Sequence, residues 1–159
     1  MQIIRDRKIV EDDFIHVADG AELPESGKPI VTLARFLKER ATLLPRYPAV
    51  GVRIASDKLP SDVPDLAKLA LIAVEFPKFT DGRGYSTGRM LRDRHGFTGE
   101  LRAVGWVLRD QLFYLERCGF NAFEMKPGKP LESGLEAFKE FTVTYQAAVD
   151  DPRPFYRRR

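Results

Sequence analysis

From Ala49 onward the chain alternates short apolar runs with segments of helical spacing, and this alternation constrains its fold more than any other feature. "AVGVRIAS" (49–56) reads as a strand and "DVPDLAKLA" (62–70) as a short helix with Pro64 in its first turn. "LIAVEF" (71–76) is the next strand, followed by a helix over "YSTGRMLRDRHG" (85–96). "ELRAVGWV" (100–107) and "LRDQLFYLERCG" (108–119) repeat the pair, with Gly119 as the stop. "FNAFEM" (120–125) and a long helix over "LESGLEAFKEFTVTYQAAV" (131–149) complete the series. Strands separated by helices of this length need right-handed crossovers and build a parallel sheet. The expected class is α/β, with a parallel sheet of about four βα units. Such a sheet is either half of a (β/α)8 barrel or an open sheet, and 159 residues are too few for a whole barrel.

The segments before Ala49 read differently. "QIIRD" and "KIVEDDFIHV" alternate apolar and polar residues around a turn near Arg7, which predicts a β-hairpin over residues 1–17. Residues 18–29 are small, acidic or Pro/Gly and read as a loop. "VTLARFLKERATLL" then carries a helical stripe, with Thr32 as N-cap and Pro45 marking the end. The chain reads as one domain over 1–159 that closes in an extended basic tail, 150–159. Few strands leave open sheet edges, which a second copy could cover, so a homodimer is expected.

A hydrophobic share of 43% and a charged share of 31% are those of a soluble globular domain. No apolar run approaches the ~20 residues that cross a bilayer, and the first residues, MQIIRDRKIVEDD, carry charges where a signal peptide is apolar. The single cysteine, Cys118, allows no disulfide framework and suits a reducing cytoplasm. Nor can it hold an iron–sulfur cluster, and no cofactor is expected. The net charge of +3 comes entirely from Arg157, Arg158 and Arg159. A nucleic-acid binder carries its excess positive charge as a folded patch, so nucleic acid is not the expected partner.

The chemistry concentrates in "FPKFTDGRGYSTGRMLRDRHG" (76–96). Gly82 and Gly84 begin a G-x-G, but Thr87 stands where a dinucleotide fingerprint needs its third glycine, and the P-loop spacing fails too. What is left is a strand-to-helix turn. Ser86 or Thr87 could cap the helix, and unpaired backbone N–H groups face the loop. Arg83 and Arg89 could add bidentate charge for an anion. Gly84 and Gly88 would admit either a ligand or a neighbouring strand at close range. The structural alternative is a plain turn whose arginines pair with Asp81 and Asp93.

Loops at the carboxyl edge of a parallel sheet form its ligand crevice. Trp106, Arg109 and Asp110 follow one strand, Glu124 and Lys126 the next, and Asp57 and Lys58 an earlier one. The candidate anion-binding set is therefore Asp81, Gly82, Arg83, Gly84, Tyr85, Ser86, Arg89, Trp106, Arg109, Asp110 and Lys126. Established catalytic sets are absent. His16 and His95 form no metal spacing, Cys118 sits at core spacing, and Glu75 is either a buried base or an arginine's partner. The tail "DDPRPFYRRR" is either solvated or an arm that docks through Phe155 and Tyr156.

The stretch "FPKFTDGRGYSTGRMLRDRHGFTGELRAVGWVLRDQLFYLERCGFNAFE", with "IIRD" before it and "FYRRR" after it, resembles a proteobacterial family of unknown function. Genes of that family typically lie beside those of assimilatory sulfite reductase and phosphoadenylylsulfate reductase. The resemblance implies a role in sulfur assimilation, with sulfite reductase as a possible partner, and members have been labelled probable oxidoreductases. It carries no catalytic residue to any position of this chain. The expected function is an accessory protein that binds an oxyanion or sulfonucleotide at the Gly/Arg-rich loop. The alternative is a non-catalytic adaptor docking through the tail.

Overall fold

A computed structural model describes residues 1–140 and 148–153. Eight strands form one sheet: β1 (Gln2–Arg5), β2 (Lys8–Glu11), β3 (Phe14–His16), β4 (Lys28–Thr32), β5 (Gly51–Ile54), β6 (Leu71–Phe76), β7 (Glu100–Gly105) and β8 (Ala122–Phe123). Four helices accompany them: α1 (Leu33–Arg46), α2 (Arg83–Asp93), α3 (Arg109–Arg117) and α4 (Leu131–Ala137). The α/β class holds, but the sheet is mixed rather than four parallel units. Its order is β2-β1-β8-β7-β6-β5-β4-β3. Strands β3 to β8 run parallel, while β1 is antiparallel to both β2 and β8.

Two strands escaped the sequence reading. "KIVEDDFIHV" divides in two: β2 completes the hairpin, whereas β3 crosses to the opposite edge of the sheet and pairs with β4. "KPIVT", expected as loop and helix start, is strand β4, in which Ile30 and Val31 are fully buried. Pro29 within it hid the strand, because proline signals a loop unless its missing N–H faces no partner. Thr32 does cap α1, accepting from the Arg35 N–H at 3.2 Å, but the helix runs through Pro45 to Arg46. Residues 62–70 form only 3-10 turns, Pro60–Asp62 and Leu66–Lys68. The long helix expected over 131–149 is described only as Leu131–Ala137, and residues 141–147 lie outside the described ones.

Chain connectivity forces the sheet to curl. Seven spacings of ~4.8 Å would hold the edges of a flat eight-stranded sheet ~34 Å apart. The edge strands β2 and β3 are joined by only Asp12 and Asp13, and three Cα steps of 3.8 Å span at most ~11 Å. The sheet therefore bends into an open half-barrel whose two edges come close together. Right-handed crossovers between sequential neighbours place successive helices on the same, outer face. Accordingly one apolar cluster joins Phe36 of α1, Leu91 of α2, Leu112 of α3 and Ala137 of α4 to Val52, Ile72 and Leu101 of the strands. The inner face holds a smaller cluster of Ile30, Leu71, Ala73 and Val104, against which Phe14 packs.

Candidate anion site at the carboxyl edge of the sheet

Alternation along the strands decides which side chains enter the half-barrel. With Val52, Ile54, Ile72, Val74 and Phe76 facing the helices, Arg53 and Glu75 face inward. So do Arg102, between the outward Leu101 and Ala103, and Glu124, which follows the outward Phe123. The inner face is dry at its amino end, where Leu71 and Ala73 are fully buried, and opens at its carboxyl end, where Glu75 is half-buried.

Arg102 is fully buried on this face, and ion pairs compensate its charge. Its guanidinium holds Asp12 in a fork at 2.7 and 2.8 Å, and also donates to Glu100 and Glu124 at 2.7 Å each. Glu124 shares its Oε1 with His16 Nε2 at 2.7 Å. Around this centre Arg5 pairs with Asp13 at 3.1 Å, and Lys28 pairs with Asp13 from the start of β4. Burial pushes the Glu124 carboxyl up, but hydrogen bonds and charge from His16 and Arg102 outweigh it and leave the group below its ordinary value. Asp12 behaves likewise, burial being overcome by Arg102. Burial would lower the Arg102 pKa, yet Asp12, Glu100 and Glu124 hold it above the usual range. The network ties the β2–β3 corner to β7 and β8, and so fastens the two edges of the curl across the inner face.

Arg53 and Glu75 stand apart from this clasp. Both are half-buried on adjacent strands, one diagonal step apart, since Arg53 pairs in register with Ala73. Neither makes an ion pair within 4.0 Å or a hydrogen bond to the described residues. Among the described arginines only Arg53 and Arg94 lack an internal acceptor, and Arg94 is exposed in the turn that ends α2. Long side chains of this kind carry their charged heads toward the open end of a cavity.

The Gly/Arg-rich loop has a different geometry. Helix α2 begins at Arg83 with Gly82 as N-cap, so Ser86 and Thr87 lie inside it and cap nothing. Asp81 occupies the helix start, accepting from the Arg83 N–H at 3.2 Å and from the guanidinium at 2.8 and 3.0 Å. Ser56 bridges the pair, donating to Asp81 at 2.8 Å and accepting from Arg83 at 3.0 Å. Arg83 and Ser56 together hold the Asp81 carboxyl far below the usual carboxylate range. Arg89 pairs with Asp93 at 3.1 Å. Gly84 and Gly88 face the sheet: a Cβ at either would stand 2.6 Å from the Phe76 ring or 2.3 Å from the Phe120 ring. Tyr85 packs edge-on to Phe76 with centroids 5.3 Å apart, and Ser86 is exposed.

The loops after β7 and β8 come together beside Glu124. Lys126 lies over the Trp106 ring, its Nζ 3.2 Å from the centroid. A cavity of about 420 Å³ there is lined by Gln2, Gly105, Glu124, Lys126 and Lys129. An adjoining cleft of about 350 Å³ reaches Arg109 and Asp110 and shares Lys129. Arg109 donates to the Ser133 carbonyl at 3.0 Å and to Glu140, and Asp110 is exposed in the first turn of α3. Lys126 and the pair Arg109 and Asp110 thus line adjoining clefts at one part of the edge, Asp81 and Arg83 pair at another, and Arg89 lies further along α2 with Asp93. Arg53 is not among the candidates the loops of the sequence single out; its signal is a lone charge within the apolar run AVGVRIAS.

A family model described as bacterial protein of unknown function (DUF934) matches residues 51–156, more than half of the chain. The chain belongs to the DUF934 family. The matched span of this DUF934 protein contains Arg53, Glu75, Arg102 and Glu124, while Asp12 and His16 precede it. No curated protein and no solved structure matches the chain. No group of three metal-ligating side chains occurs among the described residues, and no described helix is long and apolar enough to cross a membrane.

Proposed function

We propose that this protein binds a small oxyanion at the carboxyl end of its inner face, as an accessory to sulfate or sulfite assimilation in the cytoplasm. The observation that carries the reading is Arg53: a half-buried cation with no counter-ion among the described residues, beside the network in which Arg102 is matched by Asp12, Glu100 and Glu124. A guanidinium taken partly out of water favours an anion that restores its lost hydrogen bonds. Arg83, Arg89 and Arg109 already hold carboxylates, so an incoming anion at those positions must compete with Asp81, Asp93 or Glu140. Lys126 and Lys129 line a cavity beside Glu124 at the same carboxyl edge. The resemblance to a family encoded beside sulfite reductase supplies the anions to try.

Calorimetry with sulfite, sulfate and adenylylsulfate tests the proposal. Heat of binding that is lost in Arg53→Met and kept in Arg83→Ala supports it; loss in Arg83→Ala alone returns the site to the Gly/Arg-rich loop. The alternative reading is a non-catalytic adaptor that docks on sulfite reductase through the tail, and pairing of two copies is a separate proposal. Residues 154–159 of that tail lie outside the described ones. Co-purification lost on removing residues 152–159 tests the docking, and light scattering tests the dimer.

A further inference from the structure

Arg53 and Glu75 are opposite charges at diagonal positions of neighbouring strands, where long side chains ordinarily meet. They share the inner face and the half-buried zone at its open end. Even so they lie more than 4.0 Å apart, and neither turns to another described group. Glu124, two strands away in the row that runs from Glu75 through Val104, is committed to His16 and Arg102. Asp12 and Glu100 are committed to Arg102 as well. Among the described residues that face inward, Arg53 and Glu75 are thus an unpaired cation and an unpaired carboxylate at neighbouring positions.

We propose that the ligand of this site is a small zwitterion, its anionic head on Arg53 and its ammonium group on Glu75. This rests on the anion reading above and narrows its ligand class. A simple anion would satisfy Arg53 but would lie against the Glu75 carboxylate, and like charges at that range repel. A molecule carrying an ammonium group a few bonds from its acid head satisfies both groups at once. Charge-assisted hydrogen bonds are the stronger kind, so the second contact adds roughly tenfold to affinity.

Taurine and ethanesulfonate differ only in the ammonium group, and ethylammonium supplies that group alone. Titrations of the full chain with the three compounds are expected to show taurine binding about tenfold more tightly than ethanesulfonate, with ethylammonium weakest. In Glu75→Gln the taurine advantage disappears while ethanesulfonate binds at least as well as before; in Arg53→Met both sulfonates are lost. Glu75 holds no internal partner, so its amide variant should melt as the wild type does, which a thermal scan verifies. Equal binding of taurine and ethanesulfonate to the wild type overturns the zwitterion inference and leaves the anion reading standing. Binding of neither sulfonate, together with no heat from sulfite, sulfate or adenylylsulfate, overturns both.

Discussion

Arg102 shows what one residue does on the inner face. It is fully buried, and Asp12 beside it has a side chain only 2% exposed, so each charge is tolerable only because of the other. Replacing Arg102 by methionine keeps much of the volume but leaves buried carboxylates unmatched. We expect a loss of about 3–5 kcal/mol of stability, measured as a shift in urea midpoint, with part recovered when Asp12→Asn is added. Acid should act on the same groups. The native pKa values of Asp12 and Glu124 lie below their ordinary values of 3.8 and 4.5. Such groups stabilise the fold above the ordinary value and lose that contribution as pH falls through the native one. Stability should therefore hold from pH 7 to pH 5 and decline below about pH 4.5, and the decline should be shallower in Arg102→Met. A midpoint that rises on acidification would contradict this account of the network.

At the scale of elements, helix α2 shows how the Gly/Arg-rich stretch serves packing. Gly84 and Gly88 lie one turn apart on the face against the sheet, and the rings of Phe76 and Phe120 fill the space their missing side chains leave. Phe120 is itself buried. Gly88→Ala should cost about 1–3 kcal/mol through overpacking, despite alanine's better helix propensity. Gly82→Ala, whose Cβ would meet only Tyr85 Cδ2 at 3.7 Å, escapes the overpacking and should lose only the N-cap preference for glycine, a smaller cost in the same melting experiment. The sequence showed this turn, its register against both nucleotide motifs, and the pairing of its arginines as one of two readings. It did not show the helix start, because Asp81 rather than Ser86 or Thr87 satisfies the first turn. Likewise Cys118, read at core spacing, is buried where α3 ends, and burial pushes its thiol pKa up.

For the whole molecule, the rhythm from Ala49 onward sufficed for the α/β class and for strands β5 to β8. It could not show that β3 leaves its hairpin for the far edge, because pairing partners at long range leave no mark on local alternation. Nor could it show the clasp: Asp12, His16, Arg102 and Glu124 are spread over more than a hundred residues and meet only because the sheet curls. Arg53 was legible as a charge inside a strand, but its lack of a partner becomes visible only once all its neighbours are in place. That absence is the basis of the proposed site. The most direct test is the heat of sulfite or sulfate binding to the wild type beside Arg53→Met and Arg83→Ala. The account predicts binding that survives Arg83→Ala and vanishes in Arg53→Met; binding unchanged in Arg53→Met would contradict it.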